Sequence, residues 1–333
     1  MSTLPIFEMA MASDAKQAIA QLGNDWNSAA VYAGGMDLLD LMKERVYEPR
    51  LLVNIKPDAS LKYIQIEGDG RLRIGPLTTL TEIAEHPDIL KSYPALALAC
   101  GKAATPQVRN VATLGGNLCQ RPRCWYFRNE EFPCLRKGGD TCFAKEGENK
   151  YHAIFTENEP CVIVHPSAAA VALVALNGRV KIIGTSEREL SLDEFFVLPK
   201  QNVQRENVLK PNELITEIII PGASRSWKST YMKLRERQSY DWPLADVAIA
   251  AEMDGLTVKS CRVVLGAAAP VPYRARDAEE FLRGKAITTE SATQAGELAV
   301  KGAMPLSQNA YKLQLFKVIT RRTLLNLAEV KVS

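Results

Sequence analysis

The first 60 residues alternate short apolar runs with segments of helical period. The order is strand, helix, strand, Gly-Gly turn, helix and strand over residues 7–56. Asp14 is a suitable N-cap for a helix that ends near Leu22. Residues 51–55 form an apolar run closed by Pro57, which is typical of a buried parallel strand. The pattern predicts a small α/β unit.

The pattern changes over residues 59–224, which we predict to be a second and larger unit. Residues 64–67 and 72–74 alternate around Gly68-Asp69-Gly70 and predict a β-hairpin. Further predicted elements are helices over 80–90, 93–104 and 168–176, a strand starting at Val180, and a strand over 215–220.

Residues 226–333 predict a separate domain. Three antiparallel strands are expected over 231–235, 245–253 and 256–265, with a turn at Asp254-Gly255, followed by helices near 276–283, 289–302 and 309–330. The predicted fold class is therefore α+β. The predicted domains are 1–224, subdivided into 1–58 and 59–224, and 226–333.

Five of the seven cysteines lie between residues 105 and 165, which indicates a shared chemical role. Thiols cluster in a disulfide framework or around a soft metal, and a long chain with an odd cysteine count and no export signal favours the metal. The steps between Cys124, Cys134, Cys142 and Cys161 are 10, 8 and 19 residues, without the CxxC pairs typical of zinc ribbons. Spacing alone leaves three alternatives open: an iron–sulfur cluster, a zinc-stapled loop, or unliganded thiols.

Composition and charge exclude other classes. The net charge of +3 is too small to favour nucleic acid as a partner, and no apolar run of 18 residues predicts a membrane span. The N-terminus lacks the pattern of a signal peptide, so we expect a cytoplasmic protein unless a partner subunit carries the export signal.

Two Gly-Gly loops are candidate ligand sites. Residues 33–38 read AGGMDL between an apolar run and a helical segment, and residues 113–117 read TLGGN just before the cysteines. Glycines allow the backbone to approach a ligand closely, and a strand–turn–helix junction presents amides to an anion. Neither loop matches GxGxxG or a Walker motif, so each loop alone is a weak signal.

Taken together, the motifs resemble a known family. AGGMDLL, RIGPLTT, VRNVATLGGNL and the Leu-Gly-Ala turn at 265–267 are similar, in this order, to segments of the FAD-binding medium subunits of the xanthine dehydrogenase, or molybdenum hydroxylase, family. Two positions depart from the usual pattern: Met36 stands where a threonine is common, and Ala168 where many members have an aspartate near the flavin.

The cysteine segment narrows the resemblance to a sub-branch of the family that includes 4-hydroxybenzoyl-CoA reductase and some bacterial aldehyde oxidases. Members of this sub-branch carry an inserted [4Fe-4S] loop, which corresponds here to residues 118–162. Carried over on this resemblance, the cluster ligands are Cys124, Cys134, Cys142 and Cys161. Cys119 is the alternative fourth ligand.

The resemblance implies a two-part FAD-binding domain of the vanillyl-alcohol-oxidase type and a C-terminal domain with a three-stranded antiparallel sheet and helices. No residue is expected to be catalytic. The residues implied to bind the flavin are Ala33, Gly34, Gly35, Met36, Asp37, Leu38, Thr105, Thr113, Gly115, Gly116, Asn117, His165 and Lys233.

The implied function is electron transfer between [2Fe-2S] clusters of a partner subunit, FAD, a [4Fe-4S] cluster and an external donor or acceptor. The implied partners are a large molybdenum-cofactor subunit and a small subunit with two [2Fe-2S] clusters, in a dimer of heterotrimers, and the chain is not expected to be active alone. The alternatives are a self-contained flavin-dependent dehydrogenase and a zinc-stapled binding module without a redox role.

Overall fold

The computed structural model describes residues 3–237 and 239–330. In this part of the chain, no helix has both the length and the hydropathy of a membrane span.

The N-terminal unit is a three-stranded parallel sheet with two helices. Its strands are β1 (Glu8–Met11), β2 (Ala29–Tyr32) and β3 (Leu51–Asn54), in the order β1-β3-β2. The predicted parallel strand is β3, which pairs with both neighbours and is buried after its first residue. The helices are α1 (Ala15–Leu22), capped by the Asp14 carboxylate as predicted, and α2 (Leu38–Lys43).

The second unit is built on a five-stranded antiparallel sheet in the order β4-β5-β8-β6-β7. The predicted hairpin is β4 (Ile64–Ile66) and β5 (Leu72–Ile74). The remaining strands are β6 (Arg179–Ile183), β7 (Glu187–Ser191) and β8 (Leu214–Ile220).

The helices of this unit are mostly short. The predicted helix over 80–90 is divided in two, because His86 takes an extended conformation before Pro87. The helices are α3 (Leu80–Glu85), α4 (Pro87–Ser92), α5 (Pro94–Gly101), α6 (Pro106–Arg109), α7 (Leu114–Leu118), α8 (Ala168–Ala175) and α9 (Leu192–Phe195).

The C-terminal sheet has four strands, not the predicted three. They are β9 (Lys228–Leu234), β10 (Ala245–Asp254), β11 (Thr257–Gly266) and β12 (Tyr273–Arg274), and all neighbours are antiparallel. The fourth strand was missed because it is only two residues long and shows no alternation. Three helices follow: α10 (Arg276–Leu282), α11 (Thr289–Ala299) and α12 (Tyr311–Leu327).

The central strand of this sheet is buried on both faces. Ala248 and Ala250 of β10 pack with α5 and α8 of the second unit, whereas Val247 and Ile249 pack with the C-terminal helices. Successive side chains of a strand point to opposite faces, so a strand covered on both sides must be apolar throughout. This double burial fixes the C-terminal sheet against the second unit.

Residues 119–167 form a long segment of the second unit with almost no regular structure. Its single regular element is a 3₁₀ turn at Leu135–Lys137. We call residues 118–162 the cysteine loop. Near its end the backbone NH of Ile154 donates to the Ala268 carbonyl at 2.8 Å, and just beyond it the His165 NH donates to the Ala269 carbonyl at 3.0 Å. The 265–269 turn of the C-terminal domain therefore holds the far end of the loop.

Candidate flavin and cysteine sites

The two Gly-Gly loops face one cleft of about 650 Å³ between the N-terminal unit, the second unit and the C-terminal sheet. All of the predicted flavin-binding residues line it except His165. Trp26, Arg121, Arg123 and Arg205 also line this cleft, although we did not predict them.

The first loop owes its shape to its glycines. Gly35 has a φ of +73°, in the left-handed region that favours glycine. A Cβ on Gly34 would collide with the carbonyl oxygen of Val111, which belongs to the segment leading into the second loop. Gly34 is therefore needed because the two loops pack against each other.

The second loop begins helix α7. The hydroxyl of Thr113 accepts a hydrogen bond from the Gly116 NH at 3.3 Å, as an N-cap does. Ser167, which caps α8, donates its hydroxyl to Asn117 Oδ1 at 2.6 Å. Gly116 differs from Gly115, since an added Cβ on Gly116 would meet only the Thr113 hydroxyl within 4 Å. The Gly116 position is open for a ligand to approach.

The C-terminal domain also contributes side chains to the cleft. Lys233 on β9 donates from Nζ to the Lys102 carbonyl at 3.0 Å, and burial lowers its pKa to about 8. Tyr240 and Trp242 line the same cleft and are about half exposed, and the Arg123 guanidinium lies 4.8 Å above the Trp242 ring. Arg205 and Trp26 line the cleft too, and the Arg205 guanidinium lies 3.7 Å above the Trp26 ring.

His165 lies outside the cleft lining. It is buried, its ring packs 4.5 Å from that of Phe196, and neither ring nitrogen has a hydrogen-bond partner among the described residues. Burial lowers its pKa to about 3, so the ring is neutral at pH 7. The geometry gives His165 a packing role at the seam between the cleft and the cysteine loop.

The cysteine loop brings Cys124, Cys134, Cys142 and Cys161 around one small cavity. Cys119 lines the flavin cleft instead. His152 also faces the cavity of the four cysteines, with Nε2 3.2 Å from Cys124 Sγ. The fold thus separates the alternative ligand Cys119 from the other four.

The pKa values of the cavity thiols are shifted in different directions. The Cys142 thiol hydrogen-bonds the Cys161 sulfur, which lowers the pKa of Cys161 and raises that of Cys142, and nearby Arg136 further lowers the pKa of Cys161. Burial raises the pKa of Cys124 to about 11. A cation would favour the thiolate form of all four.

The volume of the cavity and the arrangement of its side chains bear on whether a cluster fits. Its volume is about 20 Å³, roughly the room of one water molecule. Among the described residues, no three Cys, His, Asp or Glu side chains stand in a metal-coordinating arrangement. Four thiols are the donor type that a soft metal or an iron–sulfur cluster takes, but in this structure the four sulfurs do not stand in the arrangement that such a group requires.

Comparisons with known proteins agree with this geometry. The family described as the FAD binding domain in molybdopterin dehydrogenase matches residues 5–223, and the CO dehydrogenase flavoprotein C-terminal domain matches residues 229–327. The chain belongs to the FAD-binding subunits of the molybdenum hydroxylase family. This confirms the family and the cofactor FAD that the motifs implied.

Individual relatives cover nearly the whole chain. The aldehyde oxidoreductase FAD-binding subunit PaoB of Escherichia coli K12 is 36% identical over 87% of this chain and 88% of its own length. The carbon monoxide dehydrogenase medium chain of Hydrogenophaga pseudoflava is 28% identical over 89% of this chain and 86% of its own. Both are subunits of oxidoreductases.

Solved structures show the same fold. A chain of the Hydrogenophaga pseudoflava carbon monoxide dehydrogenase superimposes with a TM-score of 0.77 at 26% identity, covering 99% of this chain and 100% of that one. A chain of quinoline 2-oxidoreductase from Pseudomonas putida 86 gives 0.76 at 23% identity, covering 98% of each. The predicted fold class is confirmed, with the fourth strand as its correction.

Proposed function

We propose that this chain is the electron-transfer FAD subunit of a molybdenum-containing hydroxylase or dehydrogenase complex. The observation that carries the proposal is the cleft itself, in which two Gly-Gly loops from different units face the same 650 Å³ space. The flavin would be held by residues 33–38, 113–117, Thr105 and Lys233. The complex would contain a large molybdenum subunit and a small subunit with two [2Fe-2S] clusters, as a dimer of heterotrimers.

The chain's own residues give the flavin phosphates a suitable site. Short loops with Gly35 and Gly116 present backbone rather than side chains, while Arg121 and Arg123 supply positive charge to the cleft. When bound, the flavin supplies the redox chemistry, and the protein holds and orients it. Lys233, whose Nζ is held by the Lys102 carbonyl, adds a cation to the lining of the cleft.

We propose in addition that Cys124, Cys134, Cys142 and Cys161 hold one [4Fe-4S] cluster. Their convergence on one cavity supports this set, and the position of Cys119 in the flavin cleft disfavours it as the fourth ligand. The cluster would extend the electron path from the flavin toward an external donor or acceptor.

Spectra and metal analysis of the anaerobically purified chain test both parts. Flavin bands with a broad iron–sulfur shoulder, four iron and four acid-labile sulfide per chain are expected for a [4Fe-4S] cluster. A flavin spectrum without iron would favour the self-contained flavin-dependent dehydrogenase. A colourless protein that contains zinc would favour the zinc-stapled binding module.

Serine variants identify the ligands. Replacement of any of the four cavity cysteines should lower the iron content, whereas Cys119→Ser and the control Cys261→Ser should keep it. Cys261 is a suitable control because it lies on β11, away from both sites. Loss of iron in Cys119→Ser with retention in Cys161→Ser would contradict the assigned set.

Activity tests the subunit assignment. The chain expressed alone should not oxidise aldehydes or purines with an artificial dye, because its cleft is assigned to the flavin and the molybdenum site to another subunit. Turnover by the single purified chain would contradict the assignment.

A further inference from the structure

Asp37 is an acidic residue in a loop that faces an expected anion. Its carboxylate accepts three hydrogen bonds, from the Arg121 NH at 2.7 Å, from Arg123 Nη1 at 2.5 Å and from Arg128 Nη2 at 2.6 Å. All three donors belong to the cysteine loop. Although burial works to raise the pKa of Asp37, Arg123 and Arg128 hold it below the ordinary value. Asp37 therefore stays ionised and joins the first flavin loop to the cysteine loop.

Arg128 completes this connection from a position outside the lining of both sites. Its Nη1 lies 3.0 Å from Asp40 on α2, and it also donates to the carbonyls of Pro122 and Arg121, just before Cys124. Only 11% of its side chain is exposed. It does not line the flavin cleft or the cysteine cavity.

A second carboxylate makes a parallel connection. Glu206, with 3% of its side chain exposed, pairs with Arg121 at 2.8 Å and with Arg136 at 2.6 Å. Arg121 lines the flavin cleft and Arg136 lines the cysteine cavity. Buried ion pairs hold a fixed geometry well, because removal of one partner leaves a charge that is costly to bury.

We propose that Asp37 and Glu206, with Arg121, Arg123, Arg128 and Arg136, form a latch that couples the flavin site to the cysteine site. The latch holds Arg121 and Arg123 at the cleft, where they bind the anionic phosphates of the flavin. It also fixes the chain entering Cys124. Ligand binding at one site orders the ion pairs that the other site needs, so each ligand strengthens the binding of the other. The coupling to a cluster rests on the proposed function, whereas the effect of the latch on FAD does not.

The test compares FAD affinity in two arginine variants of the full-length chain. Arg128→Gln breaks the latch, and Arg274→Gln is the matched control, since Arg274 is 16% exposed and pairs with Glu279 in the C-terminal domain. FAD is removed and titrated back, and flavin fluorescence gives the Kd. We expect Arg128→Gln to raise the Kd by about 5- to 150-fold, the usual size of such couplings, and Arg274→Gln to leave it unchanged.

The coupling is read by repeating the titrations in a Cys142→Ser background. In otherwise unchanged protein, loss of the cluster should raise the FAD Kd by a factor in the same range. In the Arg128→Gln background the same loss should change it little, because the connection is already broken.

The outcomes separate the latch from the proposed cluster. Iron-free unmodified protein would overturn the cluster, while equal FAD Kd values for Arg128→Gln and Arg274→Gln would overturn the latch. If Arg128→Gln does not fold, as judged by its thermal transition, Arg128→Lys takes its place. Lysine keeps the positive charge but loses the forked donors that join Asp37 to the loop carbonyls, so it should weaken FAD binding in the same direction by a smaller factor. No change in that variant would overturn the latch.

Discussion

The flavin cleft and the cysteine loop are neighbouring sites built in opposite ways. The cleft is framed by ends of regular elements, such as β2, α2, α7 and β9, and is open to about 650 Å³. The cysteine cavity lies within irregular backbone and has a volume of only about 20 Å³. Backbone hydrogen bonds of helices and sheets frame the first site, whereas side-chain ion pairs such as Arg136–Glu206 brace the second.

The largest expected effect is at the contact between the two flavin loops. Gly34→Ala places a Cβ against the Val111 carbonyl, and neither loop can give way because each is fixed by a helix. The clash should cost about 3 kcal/mol, the upper range for overpacking, and because it forces apart the two loops that face the flavin, we expect FAD binding to weaken by up to about 100-fold. Fluorescence titration measures it.

The control for this variant is Gly68→Ala in the β4–β5 turn, where an added Cβ meets nothing within 4 Å. Equal FAD affinity in the two variants would show that the two flavin loops can move apart to relieve the clash. The cleft would then be no more rigid than the cysteine loop.

The free energy of unfolding should depend on pH through His165, which lies between the flavin cleft and the cysteine loop. Burial lowers the pKa of His165 from 6.5 to about 3. Between these two values the unfolded chain binds a proton at His165, whereas the folded chain does not. The stability is therefore intact above pH 6.5 and falls as the pH is lowered. At pH 5 the loss from this residue is about 2 kcal/mol relative to pH 8.

His165→Phe should remove this dependence while it keeps the aromatic contact with Phe196. Urea unfolding at pH 8 and pH 5 measures the difference between the two proteins. The same loss in both proteins would mean that His165 does not remain neutral and buried down to pH 5.

The cysteine loop should tolerate a clash better than the cleft does, even though the added Cβ comes closer to its neighbour at Gly139 than at Gly34. Gly139→Ala drives a Cβ into the Pro133 carbonyl beside Cys134, yet irregular backbone can shift to relieve it. We expect a cost of about 1.4 kcal/mol and, because the shift moves Cys134, about tenfold weaker retention of the proposed cluster. Iron content and the reactivity of thiols toward a disulfide reagent measure it.

Gly101→Ala is the control for Gly139→Ala, because its Cβ would make an ordinary contact with Ala84 at 3.6 Å. A loss of FAD larger than the loss of iron in Gly139→Ala would reverse the comparison between the two sites.

The smallest effect is expected at the cap of the second flavin loop. Thr113→Ala removes the acceptor for the Gly116 NH and should cost about 1 kcal/mol of unfolding free energy. Thr113→Ser keeps the hydroxyl and should retain most of the stability. Urea denaturation distinguishes them, and equal losses in the two variants would mean that the methyl group, not the cap, is what matters.

Local sequence determined much of this protein. The Asp14 cap, the parallel strand β3, the β4–β5 hairpin and the Ala-rich α8 all follow from patterns within a few residues. The two Gly-Gly loops were also visible, because glycine pairs at strand–helix junctions carry a local meaning. That the two loops line one cleft was implied only by the resemblance to the family, because no local pattern relates residues about 80 positions apart.

Only the tertiary structure decided the rest. Gly34 looked like a point of ligand approach, but its neighbour is Val111 from the other loop. Cys119 and Cys124 are five residues apart, yet they face different cavities. The partners of Asp37 lie 84–91 positions away in a loop without periodicity. Such contacts depend on how irregular backbone packs against the fold, and the physical reason they escape prediction is that long-range ion pairs and steric contacts leave no repeating pattern in the sequence.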